Sequence, residues 1–190
     1  MINNKYYILL LVITVLLVVS VITGTSYSLW VVTEEQTGSN VIETGCFEIS
    51  ITENSNLSLT NTYPISDASG LRKTPYSVTV KNTCTINSQL DIWLNPMATS
   101  SMSVDAIKVA YGEKGNIGSP VLLNTLNDIK STVAPSDSTY SHVYELISTT
   151  LAPDATKTYE VYMWMDINAT NDAMGKTFNS KIIVNNRATN

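Results

Sequence analysis

The sequence predicts an all-β protein built as an antiparallel sandwich, and three observations support this prediction. Apolar and polar side chains alternate with a period of two along several short segments, as in strands that bury one face. Clusters of Gly, Pro, Asn and Asp separate these segments, and helical periodicity is nearly absent after residue 30. Many short strands between such turns are typical of a sandwich.

The predicted elements follow one another closely along the chain. Alternating segments lie at residues 47–52, 76–81, 89–94, 106–111 and 158–165, and a segment rich in β-branched residues lies at 177–184. The turns between them are predicted at 63–70, 95–96, 112–118 and 152–155. One helical turn is plausible at 123–130, and the Ser/Thr-rich residues 131–141 are predicted to form a mobile loop.

The N-terminus has the pattern of an export signal. Lys5 precedes an apolar run that ends at Ile22, and the small residues of 23–26 follow. The run also reaches the lower limit for a spanning helix. Residues 1–26 are therefore predicted to form a hydrophobic helix, either a signal peptide cleaved near Thr25 or Ser26, or an uncleaved membrane anchor.

The rest of the chain is expected to act outside the cytoplasm, secreted or at the cell surface. Residues 27–40 are predicted as an N-terminal strand and linker, and residues 41–190 as one sandwich domain. The charged fraction is only 14%, with Ser, Thr and Asn in its place, which suits an extracellular all-β protein. No later stretch could span a membrane, so contact with a membrane is expected only through an uncleaved N-terminus.

The net charge of −5 argues against nucleic acid or anionic lipid as partners.

Cys46 and Cys84 are the only cysteines, and an even count in an exported chain suggests one disulfide. Closing a loop of about 38 residues would contribute roughly 3–4 kcal/mol. Strand alternation puts the two cysteines on opposite faces, so the pairing needs a bulge or turn near Asn82 and Thr83, and two free thiols are the alternative.

No catalytic or metal-binding constellation is predicted, and neither is a cofactor. His142 is the only histidine, so we interpret it as a satisfied surface or edge residue, with a ligand or base as the alternative. The oxygen-rich segment 166–172 could bind calcium loosely, but it lacks the glycine and closing glutamate of an EF-hand loop. Such Asx-rich turns are commonly structural. The chain is therefore not expected to be an enzyme.

Two further features have alternative interpretations. Glu34 and Glu35 are expected to be a solvated charge pair. Trp93 and Trp164 fall on the less apolar face of their strands, so they either pack in the core or rim, or form an exposed aromatic surface for a subunit or a sugar.

Several stretches of the chain, taken in order, carry a family resemblance. They are Thr-Gly-Thr-Ser-Tyr-Ser-Leu-Trp at 23–30, Gly-Cys-Phe-Glu-Ile-Ser-Ile at 45–51, Leu-Thr-Asn-Thr-Tyr-Pro-Ile-Ser-Asp at 59–67, Pro-Tyr-Ser-Val-Thr-Val-Lys-Asn-Thr-Cys at 75–84, Leu-Ala-Pro-Asp-Ala-Thr-Lys-Thr-Tyr-Glu-Val at 151–161, Trp-Met-Asp at 164–166 and Met-Gly-Lys-Thr-Phe at 174–178. Together they resemble the TasA/camelysin-like family of exported bacterial surface and biofilm-matrix proteins. The resemblance covers most of the chain and is weakest over residues 97–145.

The resemblance implies a jelly-roll-like sandwich, export with a signal peptidase of the SipW type, and assembly into extracellular fibres of a biofilm matrix. Members of the family can join end to end by giving an N-terminal strand to the next subunit. Here the assembly strand would contain Tyr27, Leu29, Trp30 and Val31. Camelysin is described as a surface metalloprotease, but this chain has no zinc motif to which that activity could be transferred.

The residues themselves are consistent with such an assembly strand. Residues 27–32 are β-prone and apolar, and a flexible spacer at 36–40 joins them to the next strand. The strand can pair within its own subunit or cross to a neighbour. The first functional hypothesis is a secreted structural subunit of a fibre formed by head-to-tail association. The alternatives are an adhesin or glycan-binding module and, third, an exported peptidase.

Overall fold

The computed structural model describes residues 32–35, 41–44, 47–52 and 57–188, with side chains from residue 57 to residue 188. This part of the chain is all-β, as predicted, and its strands form two antiparallel sheets. In the described residues the strands are β1 (Val32–Glu35), β2 (Val41–Thr44), β3 (Phe47–Thr52), β4 (Ser58–Thr60), β5 (Tyr76–Asn82), β6 (Ser88–Pro96), β7 (Ile107–Glu113), β8 (Asn116–Ile117), β9 (Val121–Leu122), β10 (Tyr144–Leu151), β11 (Thr156–Met165) and β12 (Thr177–Ala188).

The strand order alternates between the two sheets. The first sheet runs β1-β12-β6-β10, and β4 pairs with β12 on the same side as β1. The second runs β2-β3-β5-β11-β7-β8, and β9 also pairs with β7. From β4 to β7, each strand lies in the sheet opposite to its predecessor, and the same holds from β9 to β12. The sheets therefore enclose one core.

The core comes from the faces that the alternation predicted to be apolar. Every second residue of β5 and β6 is buried there, and the buried residues of both sheets form one hydrophobic cluster. Its members include Tyr76, Val78, Val80, Leu90, Ile92, Leu94, Ile107, Val109, Val161, Met165, Phe178, Ile182 and Val184. Each large apolar side chain buried in this way contributes roughly 1.5–3 kcal/mol.

Short helical turns lie in the connections. The structure has a one-turn helix α1 (Asp67–Gly70) inside the predicted turn at 63–70. The sequence predicted one helical turn at 123–130, but the structure has two separate turns in this region. A 3-10 turn (Leu123–Thr125) ends where Leu126 becomes extended, and a separate turn α2 (Lys130–Val133) follows within the predicted loop.

Two ends of this two-sheet body are defined by its connections. One end holds the connections β5–β6 and β10–β11 and the last residue of β12, Ala188. We call it the entry end, because β1 begins there. The far end holds the connections β4–β5, β6–β7 and β11–β12. In the part of the chain that is described, no helix has the length and apolar character needed to cross a bilayer. The predicted helix at 1–26 lies outside the described residues.

Candidate functional site

A groove opens at the far end, between the β6–β7 and β11–β12 connections. Its volume is about 220 Å³, and the methyl groups of Ala106, Ala169 and Ala173 are part of its lining. The two connections are held together by a backbone hydrogen bond of 2.9 Å from the Asp166 amide to the Ala106 carbonyl. The groove therefore has walls fixed by strand ends and a partly apolar surface.

Apolar and charged side chains surround this groove. Ile167 is 55% exposed and Met174 is 41% exposed, and each directly adjoins a lining residue in the chain. Asp105, Asp172 and Lys176 contribute to the lining, which gives it one net negative charge. Ile167 and Met174 both belong to the β11–β12 connection, and large apolar residues exposed close together are typical of an interaction surface.

The calcium site considered for residues 166–172 does not form a ligand cluster. Asp166 is buried, and its Oδ1 atom lies 3.2 Å from the Nζ atom of Lys108. Asp172 lies in a 3-10 turn (Asn171–Ala173) and faces the groove. Among the residues described, no group of three or more His, Cys, Asp or Glu side chains could hold a metal ion. The segment instead shapes the far end.

Lys108 connects this segment to α1. Its Nζ atom lies 3.0 Å from Asp67 Oδ1 and 3.1 Å from Asp67 Oδ2, in addition to its ion pair with Asp166. The hydrogen bond with Asp67, supported by Asp166, outweighs partial burial and raises the pKa of Lys108 above its ordinary value. Lys108 thus stays charged and holds α1 against the second sheet.

Beneath α1 lies Trp164, and the alternative of an exposed aromatic surface is wrong for this residue. Trp164 points to the outer face of the second sheet, as its alternation indicated, but it is 0% exposed. A Cβ atom added to Gly70 would lie 2.2 Å from the Trp164 ring, so glycine allows α1 to cover the indole closely. Trp93 on the first sheet is half-buried. An aromatic platform made of these two residues is absent.

His142 is satisfied by a local pair, in line with its interpretation as a surface residue. Its Nδ1 atom lies 2.7 Å from Asp128 Oδ2, and its ring stacks on Tyr144 with 5.5 Å between centroids. Asp128 Oδ1 accepts hydrogen bonds from the amides of Lys130 and Val143. Partial burial opposes ionisation of Asp128, but the bonds from His142 and the amides outweigh it and lower its pKa.

Burial also affects Tyr144, next to this pair. Its partial burial, reinforced by the nearby Asp128 charge, raises the pKa of Tyr144 to about 12. The Asp128–His142 pair joins the connection that precedes β10 to the start of that strand. The pair therefore has a structural role at the start of β10.

A second polar cluster, not predicted from the sequence, lies on the first sheet. Asp91 in β6 is 4% exposed, and Ser148 of β10 donates a hydrogen bond of 2.7 Å to it. Gln89 donates another, and the Nη1 atom of Arg187 in β12 lies 3.2 Å away. No local pattern in the sequence indicates that β6, β10 and β12 meet at Asp91. The cluster links these three strands in the observed register.

The assembly strand expected at Tyr27, Leu29, Trp30 and Val31 lies outside the described residues. The residues that follow it pair within the chain, because β1 runs antiparallel to β12 with Val32 opposite Asn186 and Glu35 opposite Ile183. The backbone of the Glu34–Glu35 pair thus belongs to β1, and its side chains are not described.

Cys84 is disulfide-bonded, and Cys46 lies outside the described residues. β5 ends at Asn82, so Cys84 lies beyond the alternation of that strand. The Asn82 side chain accepts a 3.0 Å hydrogen bond from the Cys84 amide. Phe47 lies opposite Asn82, so β3 begins beside this turn.

Comparison with protein-family models and with curated proteins finds no match for this chain.

Proposed function

We propose that this chain is a secreted structural subunit of an extracellular fibre or biofilm matrix, joined head to tail through its N-terminal segment. The position of β1 carries the proposal. β1 enters at one end of the body, and the opposite end has a groove whose β11–β12 wall belongs to a connection with two exposed apolar residues, Ile167 and Met174. Two different, complementary ends are what a head-to-tail contact requires, and such a contact forms filaments because it does not close on itself.

The composition of the N-terminal segment supports such a joint. Residues 27–32 are β-prone, and Tyr27 and Leu29 are large side chains that favour a contact with another surface.

The strand order supports a jelly-roll topology. A jelly roll places eight strands in two sheets, with successive strands crossing between them. Here β4-β12-β6-β10 faces β5-β11-β7 with β8 and β9 at its edge. We infer that β8 and β9, which both pair with β7, together take the place of the eighth strand. β2 and β3 then extend the second sheet beyond this pattern, and β1 extends the first.

Secretion is proposed from the signal-like N-terminus, and the disulfide at Cys84 is in keeping with an oxidising compartment. No catalytic role is proposed, since His142 is engaged by Asp128 and Tyr144 in a structural pair. A glycan-binding role is disfavoured because Trp164 is buried under α1.

The proposal is tested with a protein that begins at residue 27 and another that begins at residue 32. We expect the longer protein to form fibres in electron microscopy and the shorter one to remain a folded monomer with the same circular dichroism spectrum. Leu29→Asp should prevent assembly, whereas the matched control Ser28→Asp adds the same charge at a polar position and should assemble. Persistent monomers of the folded longer protein would contradict the proposal, and so would identical fibres from both proteins.

A further inference from the structure

We propose that Lys108 and Asp166 condense to form an intramolecular isopeptide bond, and that Asp67 transfers the protons of this reaction. The product is a covalent link between β7 and the β11–β12 connection. The proposal concerns the two-sheet body alone and does not depend on fibre formation. It rests on a lysine amine that lies against two carboxylates, one of them buried.

Strand pairing fixes the three side chains in one place. Lys108 of β7 lies opposite Trp164 of β11, and Asp166 follows that strand directly. The Asp166 amide donates a 2.9 Å hydrogen bond to the Ala106 carbonyl, which holds Asp166 beside β7. Asp67 is the first residue of α1, which covers Trp164. Lys108 and Asp166 are therefore diagonal neighbours at the ends of two paired strands, and their side chains are within reach of each other.

The Asp166 carboxylate is the buried member of this cluster. Its side chain is only 7% exposed, and its Oδ1 atom accepts no hydrogen bond of normal geometry, although Lys108 Nζ lies 3.2 Å away. The hydrogen bonds of that amine go instead to both oxygens of Asp67, at 3.0 and 3.1 Å. An ionised carboxylate is costly in such surroundings, because burial removes water that no other donor replaces. Amide formation would remove both charges of the pair.

The distances are close to those of a reactive arrangement. A carbon–oxygen bond of this kind is about 1.23 Å long, so Asp166 Cγ lies at most about 4.4 Å from Lys108 Nζ. Well-oriented groups held about 3–3.5 Å apart can react with effective molarities of up to about 10⁸ M. A rotation of the Asp166 carboxylate brings Cγ toward that range. Enforced proximity is the main requirement, because the condensation needs no oxidant, no reductant and no other co-reactant.

The step balances with these three side chains alone. Asp67 accepts a proton from the Lys108 ammonium, and the freed electron pair on Nζ attacks Cγ of Asp166. Asp67 passes that proton, and then a second one from the nitrogen, to an Asp166 oxygen, which leaves as water. One N–C bond forms, one C–O bond breaks, and the nitrogen keeps one hydrogen. Lys108 is charged at rest, so proton transfer to Asp67 over 3.0 Å starts the reaction.

Mass spectrometry of the purified full-length protein, sampled over time, tests the bond. We expect the chain to become lighter by the mass of one water molecule, beyond the change due to the disulfide. Trypsin should then fail to cleave after Lys108, and tandem spectra should show a peptide pair joined between Lys108 and Asp166. A chain that keeps its full mass and is cleaved after Lys108 would overturn the proposal. A water loss confined to the Asp166 peptide would also overturn it, because that indicates a cyclic imide.

Variants and an internal control separate the roles of the residues, and circular dichroism shows whether each variant is folded. Lys108→Arg keeps the positive charge but should abolish the water loss. Asp166→Asn should form the same amide with loss of ammonia, so its product should have the mass of the linked wild-type chain. Asp67→Asn should slow the linkage by about 100-fold or more, because an amide does not transfer protons in this way. An unchanged rate would refute that role of Asp67.

The Lys157–Glu113 pair is the matched internal control. Its two charged atoms lie 2.6 Å apart, but the side chains are 41% and 45% exposed. Water satisfies both of these groups, so we expect this pair to stay unlinked in the same sample. Equal linkage at both pairs would show that close contact alone is sufficient, and it would refute the argument from the buried Asp166 carboxylate.

Discussion

Gly70→Ala tests the contact between α1 and Trp164, because two effects predict opposite signs. Alanine is the better helix former by about 0.8–1 kcal/mol, so helix propensity alone predicts a more stable protein. In the structure, the added Cβ would lie 2.2, 2.5 and 2.6 Å from three ring atoms of Trp164. The indole is fully buried, and α1 is held by the Asp67–Lys108 pair, so neither side can yield freely. Overpacking of this kind costs typically 1–3 kcal/mol, occasionally more.

We therefore expect a net loss of up to about 2 kcal/mol in the free energy of unfolding, equivalent to a melting temperature lower by up to about 8 °C for a domain of this size. Circular dichroism during thermal unfolding measures the shift, with Ser69→Ala as a control in the same turn. In a Trp164→Leu background the penalty of Gly70→Ala should largely disappear, as a double-mutant cycle would reveal. A melting temperature that rises on Gly70→Ala would refute the packing of α1 on this ring.

Three other predictions concern local hydrogen bonds and the disulfide. Asn82→Ala should lower the free energy of unfolding by about 2–4 kcal/mol in urea titrations, because the fully buried side chain donates to three backbone carbonyls and accepts from the Cys84 amide. Asp128→Asn should cost about 1 kcal/mol at pH 7, and a series of melting curves should show the difference vanish in acid. The native pKa of Asp128 is lowered, so its contribution is present above the unfolded value of 3.8 and is lost as pH falls through the native value. Cys84→Ser should cost about 2–5 kcal/mol, and non-reducing peptide mapping should link Cys84 to Cys46.

The sequence predicted the strands wherever one face is regularly buried. The segments at 76–81 and 89–94 lie within β5 and β6, with the expected side chains in the core. Residues 140–144 indicated the start of a strand, but no alternating segment was predicted over β10, because the register shifts between Glu145 and Ile147 and interrupts the period of two. A bulge inserts a residue without a local compositional signal.

The candidate site could be predicted only in part, because its components are distant in the chain. The alternation placed Trp164 on the outer face, but its cover, α1, comes from a turn almost a hundred residues earlier. The groove likewise depends on Ala106 meeting Asp166. Residues 166–172 looked like a possible ligand loop because the partner of Asp166, Lys108, lies on another strand. Local patterns carry no information about such tertiary contacts.

The edges of the sheets bear on how a subunit of this kind could assemble without indiscriminate aggregation. Among the described edge strands, β8 and β9 have two residues each, and β10 has a bulge and an exposed Glu145. β1 has four residues, two of them Glu34 and Glu35. Short strands, bulges and charges are the features that discourage edge-to-edge pairing. β2, at the other edge of the second sheet, has four residues, one of them Glu43. Growth through these edges is therefore disfavoured on both sheets. A head-to-tail joint between two different ends, as proposed here, would instead give a single direction of growth.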